Sequence, residues 1–347
     1  MPPLDLNIVC QHPESVPATV VVGGFFGDEG KGKIISYLSL KDKPTIAVRG
    51  GVGPNAGHTF VLNGEVHKVR MLPSAVLNQD TRLMIGAGVV INPEILLNEI
   101  EKYNAHDRVF IDSQCGIIEP RHIERDKGDD LKGRLGTTGS GTGPANADRV
   151  MRTLHLAREM KELTLYLDDV SNSINFALDR NESVLVEGTQ GTFLSLYHGT
   201  YPYVTSKDVT ASAICADVGL GPKRVDDVIL VFKAYVTRVG GGPLDNEVSK
   251  EEAQKRGWFE VATVTGRERR AAPFNFEFAR KGISLNSATQ LAITKLDVVF
   301  PECAHIREYD KLSDNAKLFI EQVEKNTGLQ VTLIGTGEDV YDTVDRR

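Results

Sequence analysis

The stretch Gly23-Gly24-Phe25-Phe26-Gly27-Asp28-Glu29-Gly30-Lys31-Gly32-Lys33 joins a β-branched run, Ala18 to Val22, to the helical pattern of Ile34 to Leu40. A strand, a glycine-rich turn and a helix together bind phosphate, because backbone N–H groups approach the oxygens and the helix N-terminus is positive. Lys31 and Lys33 would add full positive charges. The stretch therefore predicts a phosphate-binding loop at the start of an α/β fold.

This loop departs from the standard P-loop in two ways. Gly32 follows Gly30-Lys31, where a Ser or Thr hydroxyl would ligate Mg²⁺. The acidic pair Asp28-Glu29 would repel a phosphate, so binding alone does not explain it. A carboxylate here suits a metal ligand or a proton acceptor, and Asp28 is the candidate. The alternative, an ordinary turn with solvated lysines, is disfavoured because the lysines lie inside the glycine pattern.

Composition limits the class of protein. The 347 residues are 41% hydrophobic and 25% charged, enough for a large core. The net charge of −7 argues against a general nucleic-acid binder, and no apolar stretch approaches the roughly 20 residues of a membrane span. The four cysteines show no metal spacing and are expected to be reduced thiols. We therefore expect a cytoplasmic protein without direct nucleic-acid or membrane binding.

Strand and helix patterns alternate along the chain. Residues 1–17 are predicted to be a flexible N-terminal extension, and residues 18–347 a single catalytic domain. Polar or glycine-rich loops follow several predicted strands, at Gly50–His58, Gly188–Thr192 and Gly335–Glu338. This order predicts a mostly parallel central sheet flanked by helices, with ligands at the carboxyl ends of the strands.

Four segments are predicted on local pattern alone. Gly133–Pro144 is too glycine-rich for regular structure and is either a flexible linker or a ligand-closing loop; its hydroxyls and the following Arg149 and Arg152 favour the loop. Ala147–Met160 has a helical pattern. Ala262–Arg270 is predicted to be a polar loop, and Leu291–Asp297 a strand that ends in a charged pair.

Seven motifs together resemble the adenylosuccinate synthetase family, in the family's order. They are GDEGKGK (27–33), NAGH (55–58), GTTGSGTGPANADRVMR (136–152), EGTQGTFLSLYHGTYPYVTS (187–206), TRVG (237–240), TVTGR (263–267) and TKLD (294–297). The resemblance runs from residue 18 to the C-terminus and is closest to the short archaeal type. It implies a P-loop-like adenylosuccinate synthetase fold and a ligase. Such a ligase joins L-aspartate to C6 of a 6-oxopurine nucleotide through a 6-phosphoryl intermediate, and releases NDP and phosphate.

By this resemblance, two loops carry the chemistry. Asp28 would take the N1 proton so that the 6-oxygen attacks the γ-phosphate. Asp28 would also ligate Mg²⁺, with the backbone carbonyl of Gly57 as a second ligand. His58 would donate a proton to the transferring phosphoryl group. A structural histidine is the alternative for His58, but its place after Asn-Ala-Gly favours catalysis.

The resemblance also implies a site for the nucleotide monophosphate. Asn55 and Gln190 would bind the base, and Thr138 and Thr205 the 5′-phosphate. Arg152 would reach that phosphate from the neighbouring subunit of a homodimer; a surface salt bridge is the alternative. The implied set also contains Asp28, Lys31, Ala56, Gly57, His58, Gly241 and Arg267.

Aspartate and the nucleoside triphosphate would use the later motifs. Aspartate would be bound by Thr263, Val264, Thr265, Gly266, Arg267 and Arg269, since arginine pairs with carboxylates through two hydrogen bonds. Lys295 and Asp297 match a guanine-reading pair. The implied triphosphate site also includes Gly27, Glu29, Gly30, Lys31, Gly32, Lys33, His58, Arg269, Leu296, Gly335, Thr336 and Gly337.

Departures from the family pattern cluster around these sites. Phe25-Phe26 replace Gln-Trp, and Glu268 interrupts a run of arginines. Gly241 would open room beside the sugar or base, where Asp245 or Asn246 would receive a 2-amino group. These features resemble a phage branch that converts dGMP to 2-amino-2′-deoxy-N6-succinyladenylate for diaminopurine DNA, in the host cytoplasm.

The departures favour dGMP as the substrate, with IMP and de novo AMP synthesis as the alternative. The identity of the phosphate donor stays open. The TKLD motif favours GTP, whereas Glu338, where the family has a proline, alters the donor's surroundings and keeps ATP or dATP as alternatives. A third hypothesis is a GTP-binding switch that ligates nothing. Arg267 and Arg269 disfavour the switch, because it has no need of an aspartate-binding loop.

Overall fold

The protein was analysed as a computed structural model, which describes residues 18–261 and 266–347. Its strands are β1 (Ala18–Gly23), β2 (Ile46–Arg49), β3 (His58–Leu62), β4 (Glu65–Val69), β5 (Arg82–Ile85), β6 (Val90–Ile91), β7 (Val109–Asp112), β8 (Gly116–Ile117), β9 (Leu167–Asp168), β10 (Val184–Gly191), β11 (Val225–Lys233), β12 (Tyr235–Val239), β13 (Glu260–Val261), β14 (Glu268–Pro273), β15 (Gln290–Thr294), β16 (Val331–Gly335) and β17 (Thr343–Asp345). Its α-helices are α1 (Lys31–Asp42), α2 (Pro93–Lys102), α3 (Pro120–Lys127), α4 (Asp129–Leu135), α5 (Thr142–Met151), α6 (Val170–Asp179), α7 (Ala211–Val218), α8 (Lys250–Lys255), α9 (Phe276–Asn286), α10 (Leu296–Val299) and α11 (Asp314–Thr327).

One large sheet organises the molecule. Its strand order is β17-β16-β15-β11-β1-β10-β2-β5-β7-β9. Neighbouring strands are parallel throughout, apart from the antiparallel pair β16 and β17. This confirms the predicted, mostly parallel central sheet flanked by helices. Because β1 lies between β10 and β11, the phosphate-loop candidate opens at the middle of the carboxyl edge.

Both faces of this sheet are covered. Val20 and Val22 of β1 pack into one hydrophobic cluster, whereas Val21 packs into the other on the opposite face. Successive side chains of a strand point to opposite faces, so a strand buried on both sides reads as a continuous apolar run. Polar groups are therefore expected at the strand ends, which is where the candidate site residues lie.

Smaller sheets flank the carboxyl edge. The hairpin β3-β4 turns at Asn63 and Gly64, which have φ angles of 51° and 82°. An Asn-Gly pair with positive φ at both residues is typical of a two-residue hairpin turn. The strands β12, β14 and β13 form an antiparallel sheet in that order. No helix within the two described ranges is long and apolar enough to cross a membrane.

Four local predictions need correction. Gly133–Pro144 has helical residues at both ends, since α4 continues to Leu135 and α5 begins at Thr142. The helix predicted over Ala147–Met160 stops at Met151, because Arg152 takes a left-handed φ of 65°.

The other two corrections concern strand ends. The final residues of the predicted polar loop 262–270 belong to β14, which pairs with β12 and β13. The strand predicted to Asp297 ends at Thr294, because Lys295 has a φ of 59° and starts α10. The charged pair therefore lies at the start of α10, with Lys295 as the N-cap and Asp297 in the first turn.

Candidate active site

The loop after β1 is shaped by the carboxylate of Glu29. It accepts hydrogen bonds from the backbone N–H groups of Phe25 (3.0 Å) and Gly27 (2.7 Å), and Nζ of Lys31 lies 2.9 Å from its other oxygen. Both charged side chains are buried. Asp28 has a φ of 62° and keeps its side chain 33% exposed. Glu29 therefore supports the loop, and Asp28 is the carboxylate that a ligand can reach.

Asp28 is paired with a predicted aspartate-binding residue. Its Oδ2 lies 3.0 Å from Nε of Arg269, whose Nη1 contacts Glu260. Glu260 also accepts from Nζ of Lys233 (2.8 Å) and the hydroxyl of Tyr235 (2.5 Å). Burial alone would raise the pKa of Glu260, but Lys233 and Arg269 outweigh it and lower that pKa to about 2. An ionised Glu260 thus holds Arg269 beside Asp28.

His58 is oriented by two residues from distant segments. Its Nδ1 contacts the carboxylate of Glu187 and lies 3.1 Å from Oγ of Ser74. Glu187 also accepts from the backbone N–H (2.6 Å) and hydroxyl (2.9 Å) of Ser74. Within the described chain, Nε2 of His58 is buried and has no partner. Burial lowers the pKa of His58, and Glu187 opposes this shift. The free Nε2 is therefore available to a ligand.

The loop from Gly50 to His58 rests on a buried arginine. Arg49 donates to the carbonyl oxygens of Ala56 (3.1 Å) and Leu72 (3.3 Å), and lies 3.8 Å from Glu187. Further along this loop, the amide of Asn55 donates to the hydroxyl of Thr205 at 3.4 Å. Two residues predicted to hold one nucleotide are thus brought together.

Other predicted residues form a second group of contacts. Arg267 donates to the carbonyl of Gly136 at 2.7 Å, which joins the aspartate loop to the segment that carries Thr138. The hydroxyl of Thr138 lies 2.6 Å from that of Ser140. Gln190, with a φ of 57°, accepts from Thr189 at 2.5 Å. Arg152 is exposed at the end of α5.

The predicted triphosphate residues divide into two kinds. Lys33 donates to the backbone carbonyls of Gly337 (2.8 Å) and Asp342 (2.6 Å), so its ammonium supports the loop after β16 and does not face the phosphate loop as expected. Burial lowers the pKa of Lys33 to about 8, although Asp342 opposes this shift. Thr336 is fully buried and donates to a backbone carbonyl. By contrast, Oδ1 of Asp297 is buried without a partner in the described segments, as a base-reading carboxylate requires.

The space expected beside Gly241 is filled. A Cβ atom at this position would lie 2.6 Å from Cε1 of Tyr203, so the ring of Tyr203 occupies the room that the glycine leaves. Asp245 and Asn246 are exposed. Thr263, Val264 and Thr265 of the predicted aspartate loop lie outside the described residues.

Sequence reasoning missed three buried charged residues that directly follow the apolar run of a strand. Arg49 ends β2, Glu187 lies within β10, and Lys233 ends β11, and all three are buried. Each follows an apolar run, as in Ile46-Ala-Val-Arg49. A charged side chain directly after the apolar run of a buried strand is the signal that would have found them.

The oxygen donors fit a magnesium ion bound together with a nucleotide. Within the described residues, no group of three or more His, Cys, Asp and Glu side chains could hold a metal by itself. Asp28 offers one accessible carboxylate, and the predicted second ligand is the Gly57 carbonyl. Mg²⁺ usually takes one or two carboxylates and completes its shell with water and substrate phosphates.

Comparisons with known proteins agree with this arrangement. A sequence model of the family described as adenylosuccinate synthetase matches residues 20–164 and 154–304. The adenylosuccinate synthetase of Methanocaldococcus jannaschii is 55% identical over 333 residues, which is 95% of this chain and 96% of the relative. That of Thermococcus onnurineus is 54% identical over 336 residues, or 96% and 99% of the two chains.

Two solved structures are also similar. A fully ligated adenylosuccinate synthetase from Plasmodium falciparum superposes with a TM-score of 0.89 at 26% identity, over 95% of this chain and all of that chain. The succinoaminodeoxyadenylate synthetase of cyanophage S-2L, bound to dGMP and to dATP as an energy donor, superposes with a TM-score of 0.81 at 25% identity, over 96% of each chain.

Proposed function

The chain belongs to the adenylosuccinate synthetase family and is a ligase that forms a C–N bond, and from this premise we propose that its substrates are IMP, L-aspartate and GTP. The observation that carries the proposal is the 50–55% identity to archaeal adenylosuccinate synthetases over 95% of the chain. This identity favours IMP over dGMP as the substrate, although the sequence departures alone favour dGMP. Membership of a ligase family also leaves no support for a GTP switch that ligates nothing.

The proposed reaction has two steps. Asp28 accepts the proton from N1 of the purine, and the 6-oxygen attacks the γ-phosphorus of GTP, which releases GDP. The amine of aspartate then attacks C6, loses a proton, and displaces the 6-phosphoryl group as phosphate. The position of Asp28 supports this role, because it is the accessible carboxylate of the loop.

His58 is proposed to act on the transferring phosphoryl group. Because Nδ1 faces the carboxylate of Glu187, the imidazole carries a proton on that nitrogen and turns Nε2 to the ligand. A negative phosphoryl group beside Nε2 would favour the imidazolium, as Glu187 does on the other side. His58 would then donate its Nε2 proton to a phosphoryl oxygen as negative charge develops there.

Mg²⁺ is the proposed cofactor, held by Asp28 and the Gly57 carbonyl together with the phosphates. Bound there, it would supply positive charge to the β- and γ-phosphate oxygens. Arg267 and Arg269 are proposed to bind the carboxylates of aspartate. Their neighbours Thr263–Thr265 complete this proposed loop.

The donor is proposed to be GTP. The buried, unpartnered Oδ1 of Asp297 supports this, because a carboxylate accepts hydrogen bonds from N1–H and the 2-amino group of guanine. Adenine carries no N1 proton and no 2-amino group, so ATP or dATP would leave this carboxylate unpaired in a buried site.

The proposed assembly is a homodimer in which Arg152 completes the neighbouring subunit's site. Its exposure at the end of α5 supports this, as do the exposed side chains of Val150 and Met151 before it. We also propose that residues 18–347 form one catalytic domain that works in the cytoplasm. The free thiols of Cys115, Cys215 and Cys303 support that compartment.

dGMP is the second candidate substrate. Its support is the similarity to the cyanophage synthetase bound to dGMP and the altered residues around the site. A substrate matrix separates the two: purified protein, Mg²⁺ and aspartate, with IMP, GMP or dGMP crossed against GTP, ATP and dATP, and products identified by mass. The proposal expects a succinylated product from IMP with GTP. A product from dGMP alone would overturn it and establish the second candidate.

A further inference from the structure

A partly buried ion pair outside the assigned site joins the loops that would carry the nucleotide. Nζ of Lys207 contacts the carboxylate of Asp217 at the end of α7. The same ammonium donates to the carbonyl oxygen of Gly88 at 2.7 Å and lies 3.4 Å from that of Gly51. The pair thus connects the segment after Thr205 to the loops that follow β2 and β5.

Asp217 completes this connection from the other side. Its second carboxylate oxygen accepts from the backbone N–H of Gly51 at 2.8 Å, and its backbone carbonyl accepts from the N–H of Gly88 at 2.9 Å. The N–H of Gly51 therefore contacts Asp217, and its carbonyl oxygen contacts Lys207. Gly51 has a φ of 96°, so the chain turns there, four residues before Asn55.

The segment that carries Lys207 is fixed at two further points. The backbone N–H of Thr205 donates to the carbonyl of Leu194 at 2.8 Å, and the hydroxyl of Ser206 accepts from Asn146 of α5 at 3.0 Å. The side chain of Lys207 thus extends from this hydrogen-bonded segment to the turn at Gly51. The amide of Asn55 and the hydroxyl of Thr205 also link the two loops directly, but their distance of 3.4 Å is long for a hydrogen bond.

We propose that Lys207 is a positioning residue for the nucleotide monophosphate: paired with Asp217, its ammonium fixes the Asn55 loop relative to Thr205. The inference rests on the proposed function, which places the monophosphate on Asn55 and Thr205. A small displacement of one loop would separate two groups that must bind one ligand together, and misplacement of that order is costly in enzymes. Among the described residues, the ammonium of Lys207 bonds to Gly51, Gly88 and Asp217, and none of these lies in the loop after β1, so GTP binding should not depend on it.

The test compares Lys207→Met, which keeps the apolar stem, with Lys311→Met, a matched lysine whose pair with Glu308 is exposed. The KM for the monophosphate should rise about tenfold in K207M, with changes in kcat and in the KM for GTP below about threefold. K311M should match the wild type. Binding of IMP and of dGMP to each protein is measured by calorimetry as well, so that the result does not require turnover.

Two further variants guard against a folding defect in K207M. Asp217→Asn keeps an oxygen acceptor for the Gly51 N–H but removes the charge, and should raise the KM or Kd for the monophosphate less than K207M does. Lys207→Arg should restore most of the affinity lost in K207M, because it keeps a cation at this position. Circular dichroism establishes that each variant is folded.

A mutant cycle tests the route of the effect. If Lys207 acts by placing Asn55, then K207M should weaken monophosphate binding by less than about threefold in an Asn55→Ala background, since the group it positions is already gone. Unchanged monophosphate affinity in both K207M and D217N would overturn the proposal, as would equal losses for IMP and GTP. Failure of the proposed function would appear elsewhere, as wild-type protein that forms no product from IMP.

Discussion

The Nε atom of Arg269 lies 3.0 Å from Oδ2 of Asp28, and its Nη1 contacts Glu260. The proposed base is thus ion-paired with the proposed aspartate-binding arginine, and a second carboxylate holds that arginine in place. Lys233 lies behind Glu260 at 2.8 Å, so positive and negative charges alternate from Asp28 into the buried end of β11. The groups proposed for the two steps of the reaction therefore belong to one charged network.

Asp28→Asn should abolish product formation. The amide neither accepts a proton from the purine nor replaces a carboxylate as a Mg²⁺ ligand, so kcat should fall by about a thousandfold or more. Steady-state assay with IMP, aspartate and GTP measures the loss, and calorimetry should find IMP still bound. Asp107→Asn, at an exposed aspartate, is the control. Near-normal activity in D28N would remove Asp28 from the mechanism.

Arg269→Lys should impair aspartate binding. One ammonium cannot contact Asp28, Glu260 and a substrate carboxylate as a guanidinium fork does. The KM for aspartate should rise by about tenfold or more, while the KM for IMP changes little. The neighbouring Arg270, which pairs with an exposed glutamate, gives the matched variant R270K. Equal effects of the two substitutions would show that Arg269 has no special part in binding aspartate.

Glu187→Gln should shift the pH profile of the enzyme. The carboxylate favours the imidazolium of His58, so a neutral amide should lower the pKa of His58 further below its usual value. If the imidazolium is the active form, the alkaline limb of kcat/KM should move to lower pH, and activity at neutral pH should fall by about 10- to 100-fold.

The control for this shift is Ser74→Ala, which removes a hydroxyl from the same cluster but leaves its charge. Its alkaline limb should stay at the wild-type pH. If E187Q lowers kcat/KM by the same factor at every pH and leaves the alkaline limb at its wild-type pH, His58 does not act as a proton donor.

Local signals were enough to predict the centre of the fold. The β-branched run before Gly23 predicts β1, the glycines predict the loop, and Asn63-Gly64 predicts a hairpin. In each case the backbone conformation is determined by residues that are adjacent in the chain. The polar loop predicted over 262–270 includes the first three residues of β14, because Glu268–Pro273 has no alternation of its own. The segment is a strand because β12 and β13 pair with it. A strand of that kind depends on partners that the local pattern does not contain.

The site was predictable to the same extent. The resemblance names Asp28 and His58 as candidates, but it does not predict that Glu187, 129 positions away, contacts His58. The expected space at Gly241 illustrates the same limit, because Tyr203 fills it from 38 positions away. Contacts between strand ends follow from the order of the strands in the sheet, which a linear sequence leaves open.

Lys33 should make stability depend on pH in a measurable way. Its pKa is about 8 in the folded protein and 10.5 in the reference state, so the unfolded chain binds more protons between these values. Stability should therefore rise with pH across that window, and wild type should gain about 2 kcal/mol relative to Lys33→Met between about pH 7.5 and about pH 10.

Urea unfolding at several pH values measures this difference. Lys41→Met, at an exposed lysine of the same helix, is the control. Its free energy of unfolding should change with pH as that of the wild type does. Equal slopes for wild type and K33M would mean that Lys33 keeps an ordinary pKa, and the buried contacts with Gly337 and Asp342 would then need another explanation.

Mixing two inactive variants tests the shared site of the proposed homodimer. Arg152→Leu should weaken the site of the partner, and D28N should inactivate its own. In a mixed dimer, one site lacks both groups, whereas the other combines Asp28 from one subunit with Arg152 from its partner and is intact. Equal amounts that exchange freely form half mixed dimers, so activity should recover to about a quarter of the wild-type value per subunit. The variants are mixed after dilution to allow exchange, and each alone, treated alike, is the control. If activity does not recover although exchange is demonstrated with a size tag, Arg152 serves its own subunit, and the exposed end of α5 has no part in a shared site.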